Sequence, residues 1–234
     1  MHVGLRDAQM EELGASNVDL HKFAKRDLAL AAARRLSGGT TVSATAFVAH
    51  RAGIAVFATG GIGGVHRAST SSSESSMSNC APAGPTQGTE SRQSHDPLDV
   101  SADLVELSLT PIAVVCAGAK SILDVPRTLE FLETHGVLVT ALQSDQFPAF
   151  IARASDCPAP AHVESIAEAA DALYAIRAPL LEHALLLAVP IPEQHSMPRA
   201  AHESVLARAL EAAREQRVVG KAVTLCLLAR IAKN

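Results

Sequence analysis

Apolar and polar positions alternate along this chain in blocks that switch between a helical and a strand-like period. Residues 28–36 are apolar enough for a short helix, with Asp27 as its cap and Gly38 and Gly39 as its stop. A second helical stretch covers residues 42–51 and closes at Gly53. Short apolar runs at 54–58, 112–116, 137–142 and 184–189 read as buried strands. A helix is predicted from about 123 to 134, and another where Ile166, Ala169, Leu173 and Ile176 share a face. Leu206, Ala209, Leu210 and Ala213 mark a last amphipathic helix. This alternation predicts an α/β protein in three layers, α/β/α, with helices on both faces of a mixed, largely parallel sheet.

One stretch breaks the rhythm. Residues 68–98 are dominated by Ser, Gly, Pro and Thr and have no apolar period. Such a segment buries too little surface to offset its ordering entropy, so it is expected to be a disordered loop insertion within one domain spanning 1–234.

The 234 residues are 48% hydrophobic and 19% charged, enough to bury a sizeable core. Aromatics are 3% and Trp is absent, so that core must be aliphatic. A net charge of -4 offers no electrostatic footprint for nucleic acid. No apolar run approaches a membrane span, and the acidic start is unlike a targeting peptide. Cys80, Cys116, Cys157 and Cys226 show no metal-like spacing, which predicts free thiols in a reducing, cytoplasmic setting.

Candidate chemistry sits in three places. In VVCAGAKSILD, residues 114–124, an apolar run ends in small residues and then Lys120. Open α/β sheets place their chemistry at such strand ends. A poorly solvated lysine there becomes a nucleophile toward carbonyl carbon; a snorkelling strand-edge lysine is the plain alternative. FATGGIGGVHR, residues 57–67, carries four glycines and then His66 and Arg67, either a tight turn or an anion-binding loop. In LDVSADLVEL, residues 98–107, Asp99 and Asp103 are four apart, with Ser101 as a helix cap between them. The two carboxylates suit either a divalent ion or a helix N-terminus.

Taken together, HKFAKRDL, GGTTVSAT, FATGGIGGVHR and DVSADLVEL with TPIAVVCAGAKSILD resemble the pseudouridine-5′-phosphate glycosidase family, also called indigoidine synthase A-like. QFPAF, PIPEQHSMP and GKAVTLCLLAR add weaker support. The resemblance implies reversible cleavage of a C–C glycosidic bond, giving uracil and ribose 5-phosphate through an imine on Lys120. It places the metal ligand, usually for manganese (Mn2+), on Asp99. Substrate contacts fall on Lys22, Val42, Ser101, Ala102 and Asp103, and by looser analogy on Thr59 and His66. It also implies a small-molecule substrate and a homotrimer, with neither nucleic acid nor membrane as partner.

Several departures qualify that expectation. The family's ALESTIISHG-like segment, whose glutamate exchanges the proton on the uracil carbon, and its GGxSLxxN-like segment have no match here. Val189 replaces a usual Asn, Leu225 a usual Pro and Ala24 a common Ser. Three expectations follow: a piece of an ordinary glycosidase, one half of a split enzyme, or a relative that binds sugar phosphate without turnover. A sugar-phosphate aldolase working through the same imine is disfavoured, because eight βα units do not fit the chain.

Overall fold

The computed structural model describes residues 2–15, 20–67, 99–179 and 181–216. The segment 68–98, Cys80, Cys226 and the GKAVTLCLLAR string lie outside the described residues.

In chain order the elements are α1 (Asp7–Gly14), β1 (His21–Phe23), α2 (Leu28–Ala33), β2 (Gly38–Thr40), α3 (Val42–Arg51), β3 (Val56–Ala58), α4 (Ala102–Leu107) and β4 (Ala113–Cys116). There follow α5 (Val125–Thr134), β5 (Leu138–Leu142), β6 (His162–Val163), α6 (Ile166–Arg177), β7 (Leu185–Ala188) and α7 (Arg199–Glu215). The main sheet runs β3-β4-β7-β5-β6, and β1 pairs separately with β2. Every described strand pairing is parallel, so the sheet expected to be mixed is uniform here.

β7 reads LLLA with all four residues buried, as a central parallel strand covered on both faces should. Alternation then splits its side chains. Leu186 and Ala188 join Val114, Cys116 and Val139 in one core, beneath α3, α4 and α5. Leu185 and Leu187 join Ala113, Val163, Ala169 and Ile176 in the other, beneath α6. The three-layer α/β/α architecture follows from these two cores.

Local chemistry moves several predicted boundaries. α3 has the predicted limits, and Gly53 closes it with φ +80°. α2 stops at Ala33 instead of reaching residue 36, because Arg35 takes φ +52°. Gly38 and Gly39 therefore do not stop a helix; they form β2, where Gly38 lies against the His21 backbone with no room for a side chain. Asp27 does not cap α2 with its side chain; its Oδ2 accepts from the Ala24 N–H at 2.8 Å. α5 opens at Val125, later than predicted, where the Asp124 side chain accepts from the Arg127 N–H at 3.1 Å. Among the described residues no helix is long and apolar enough to cross a membrane.

Candidate functional site

The pairing between β3 and β4 continues past both strand ends. The Thr59 N–H donates to Val115 O at 2.9 Å and the Ala117 N–H to Gly60 O at 2.9 Å. The Ile62 N–H then donates to Gly118 O at 3.1 Å, and the Lys120 N–H to Ile62 O at 3.1 Å. Main-chain bonds thus carry Lys120 beyond the carboxyl edge of the sheet, beside the glycine-rich stretch. It does not open a helix: its carbonyl accepts from the Leu123 N–H at 2.9 Å, closing a turn before α5 begins. Gly118, at φ +99°, makes the bend possible, and a β-carbon there would overlap Pro148 O.

Lys120 is partly buried. Burial holds its ammonium below the usual value of 10.5; the Asp103 carboxylate opposes that shift, and the positive charge of Lys22 adds to it. Beside it, the Ser121 hydroxyl is buried with no hydrogen-bond partner among the described residues. Cys116, on the same strand end, is buried, and desolvation pushes its thiol up to about 12. That thiol stays protonated near neutral pH and is a poor nucleophile there.

Asp103 is 5% exposed and spends both oxygens on backbone. Oδ1 accepts from the Ser43 N–H at 2.8 Å and Oδ2 from the Gly63 N–H at 2.9 Å. The first bond supplies the first turn of α3 with an acceptor that Thr41, at its cap position, does not provide. The second pins the glycine-rich stretch to α4. Ser101 caps α4 as predicted, accepting from the Asp103 N–H at 3.3 Å, and its own N–H donates to Gly64 O at 3.0 Å. A β-carbon on Gly63 would lie 2.7 Å from Asp103 Oδ2, so this glycine is required by close approach.

Much of the glycine stretch is therefore a structural turn. Besides those of Ile62 and Gly63, the N–H groups of Val65 and His66 donate to Thr128 Oγ1 at 3.0 Å and Asp99 O at 2.9 Å. Two of its side chains, Thr59 and His66, are partly exposed.

The other expected site residues fall into two groups. Val42 is the first residue of α3 and Ala102 the first of α4, so both lie at the helix ends that Asp103 joins. Lys22 is on β1 opposite Gly39, exposed, yet near enough to influence Lys120. Asp99 stands apart. It precedes α4, its side chain is 54% exposed, and its Oδ2 lies 4.0 Å from His66 Nε2. The four-residue spacing of Asp99 and Asp103 therefore does not make a carboxylate pair, because one is committed to buried amides and the other faces outward. Among the described residues no three His, Cys, Asp or Glu side chains gather into a metal cage. A hard divalent ion that keeps most of its waters needs only one or two carboxylates, and Asp99 fits that demand.

One buried support was invisible in the sequence. Lys25 Nζ reaches Glu106 Oε2 at 2.8 Å, while Thr110 Oγ1 donates to Glu106 Oε1 at 2.6 Å. Glu106 is 3% exposed and lies one turn after Asp103 on α4. This pair fastens the segment behind Lys22 to the helix that carries Asp103.

A family model described as indigoidine synthase A like protein matches residues 1–79 and 83–234. A pseudouridine-5′-phosphate glycosidase of Arabidopsis thaliana is 43% identical over 229 residues, covering 98% of this chain and 62% of that protein. One of Methylobacterium nodulans is 44% identical over 232 residues, covering 99% and 61%. The chain thus spans a little over three fifths of the length of these two relatives. Among solved structures, the prealnumycin C-glycosynthase AlnA in complex with ribulose 5-phosphate matches with a TM-score of 0.80 at 36% identity, covering 98% of this chain and 67% of that one. An indigoidine synthase A-like protein from Thermotoga maritima matches with a TM-score of 0.73 at 30% identity, covering 97% and 64%.

Proposed function

The chain belongs to the indigoidine synthase A-like family, and from that footing we propose that it carries the sugar-side machinery of a pseudouridine-5′-phosphate glycosidase. One observation carries the reading: Lys120 is suspended at the carboxyl edge of a parallel sheet, partly buried and with its ammonium destabilised. The glycosidase relatives and the C-glycosynthase holding a pentulose phosphate support a C-glycoside with a phosphorylated sugar as substrate.

A C-glycoside has no leaving oxygen or nitrogen to protonate, so simple departure of the base is hard. Lys120 Nζ attacks C1, the ring oxygen leaves and the sugar opens. The nitrogen lone pair then forms the iminium as the C1–base carbon bond breaks, and that electron pair takes a proton at the uracil carbon. Water adds to the iminium and releases ribose 5-phosphate and the free amine. No glutamate of this chain is assigned the proton transfer.

Asp103 acts here as counter-charge and brace, while Ser101, Ala102 and Val42 contribute the adjoining backbone wall. Lys22, with Thr59 and His66, is assigned to the phosphate end of the substrate. Asp99 would hold a divalent ion, Mn2+ by resemblance, which supplies positive charge near the anionic substrate when bound. A homotrimer is the proposed assembly.

The test is incubation with ribose 5-phosphate, borohydride reduction and peptide mass mapping. An adduct on Lys120 that vanishes in Lys120→Ala is the expected result. A folded chain without an adduct would overturn the imine chemistry and leave sugar-phosphate binding without turnover.

A further inference from the structure

The mechanism above leaves QFPAF, residues 146–150, without a role. Phe150 has φ +65°, a conformation a bulky side chain rarely adopts. Such strain persists where the surroundings impose it, and it concentrates at functional sites. Here the Phe150 N–H donates to Ala117 O at 2.8 Å, Ala149 bridges both Gly118 and Ala152, and the Met197 N–H donates to Ile151 O at 2.9 Å. Ala117 is itself a rung of the ladder that carries Lys120, so the same backbone fixes both residues.

The ring has a seat made for it. A β-carbon on Gly61 would come within 2.6 Å of Phe150 Cδ2, and one on Gly60 within 3.4 Å of Cε2. Gly61 thus makes room for an aromatic face against bare backbone, with Gly60 in ordinary contact beside it. Nor is the ring simple core filling. Phe147, three residues earlier, is fully buried and anchors the segment, whereas Phe150 keeps part of its surface exposed beside the exposed Gly60. A strained, partly exposed aromatic held on the same backbone ladder as Lys120 offers a flat apolar face to a ligand.

We propose that Phe150 is the stacking platform for the planar base of the substrate and so favours a flat aromatic aglycone. This rests on the C-glycosidase reading and adds the group that recognises the heterocycle. Stacking is indifferent to hydrogen-bond pattern, so it orients a flat ring without choosing among pyrimidines.

The test compares two ligands on the full chain, with Phe150→Leu and Phe150→Tyr beside wild type. Ribose 5-phosphate has no base; pseudouridine 5′-phosphate has one. Phe150→Leu should weaken pseudouridine 5′-phosphate binding about tenfold. It should leave the borohydride-trapped Lys120 adduct with ribose 5-phosphate within about twofold, and Phe150→Tyr should restore base binding. Unchanged base binding in Phe150→Leu overturns the proposal. Equal losses for both ligands also overturn it, because the ring then only shapes the loop. A wild-type adduct without any preference for the base-bearing ligand rejects the stacking alone; absence of both adduct and binding rejects the parent reading with it.

Discussion

On the α6 side of the sheet, Ala113, Val163, Ala169, Ile176, Leu185 and Leu187 form an apolar seal. Among the described residues, strand alternation turns the buried Thr140 side chain toward it, where it donates to Leu186 O at 3.4 Å. On the other side, the same strands meet α3, α4 and α5, and there Ser43, Asp103, Glu106 and Thr128 are buried with their partners. One face is held by area removed from water, the other also by directed bonds. Area is tolerant of exchange, whereas directed bonds fix atoms relative to one another. The site grows out of the side with directed bonds.

The strongest way to break this contrast is Asp103→Ala. It strands two buried N–H groups, each worth about 1–3 kcal/mol, so a loss of about 3–4 kcal/mol is expected in urea unfolding. It also removes the carboxylate that raises the Lys120 ammonium value, so adduct formation should move to lower pH. A stability loss under about 1 kcal/mol would show that the bonds to Ser43 and Gly63 hold little.

A matched pair sharpens it. Leu185 and Leu186 are neighbours on β7, 1% and 0% exposed, and face opposite cores. Each change to Ala should cost about 3 kcal/mol. Per folded molecule, Leu185→Ala should leave the rate of Lys120 adduct formation unchanged, while Leu186→Ala should slow it severalfold. Equal slowing would mean that the two faces support the site alike.

The smallest effect is electrostatic. Lys22→Met should alter stability by less than about 0.5 kcal/mol, since the residue is exposed. Its positive charge disfavours a second cation at Lys120, so removing it raises the Lys120 ammonium value. At a fixed pH below that value less free amine remains, and the pH profile of adduct formation moves upward, opposite to Asp103→Ala. The midpoint is the readout, because lost phosphate contact changes amplitude at saturating or limiting ligand but not the sign of the shift.

What the sequence revealed was local. The apolar period of residues 42–51 translates directly into α3, the run at 112–116 into β4 (Ala113–Cys116), and Ser101 into a cap, because each rests on near neighbours. The three-residue strands β1 and β2 carry no period long enough to read, and Arg35 took the turn that the glycines at 38 and 39 were expected to supply. Within the site, Lys120 was legible as an isolated cation after small residues. The use made of Asp103 was not, since its partners Ser43 and Gly63 lie 60 and 40 residues away. Lys25 and Glu106 are 81 apart, and no spacing rule reaches that far.

Lys120 owes its place to amide and carbonyl groups of Ala117, Gly118, Gly60 and Ile62, which nearly any sequence could furnish provided the glycines remain. The position of the Lys120 backbone is consequently set by main-chain bonding rather than by the side chains around it. Substitutions in those side chains should therefore leave the amine where it is, so long as the partners that hold the ladder, Asp103 on Gly63 and Phe150 on Ala117, remain.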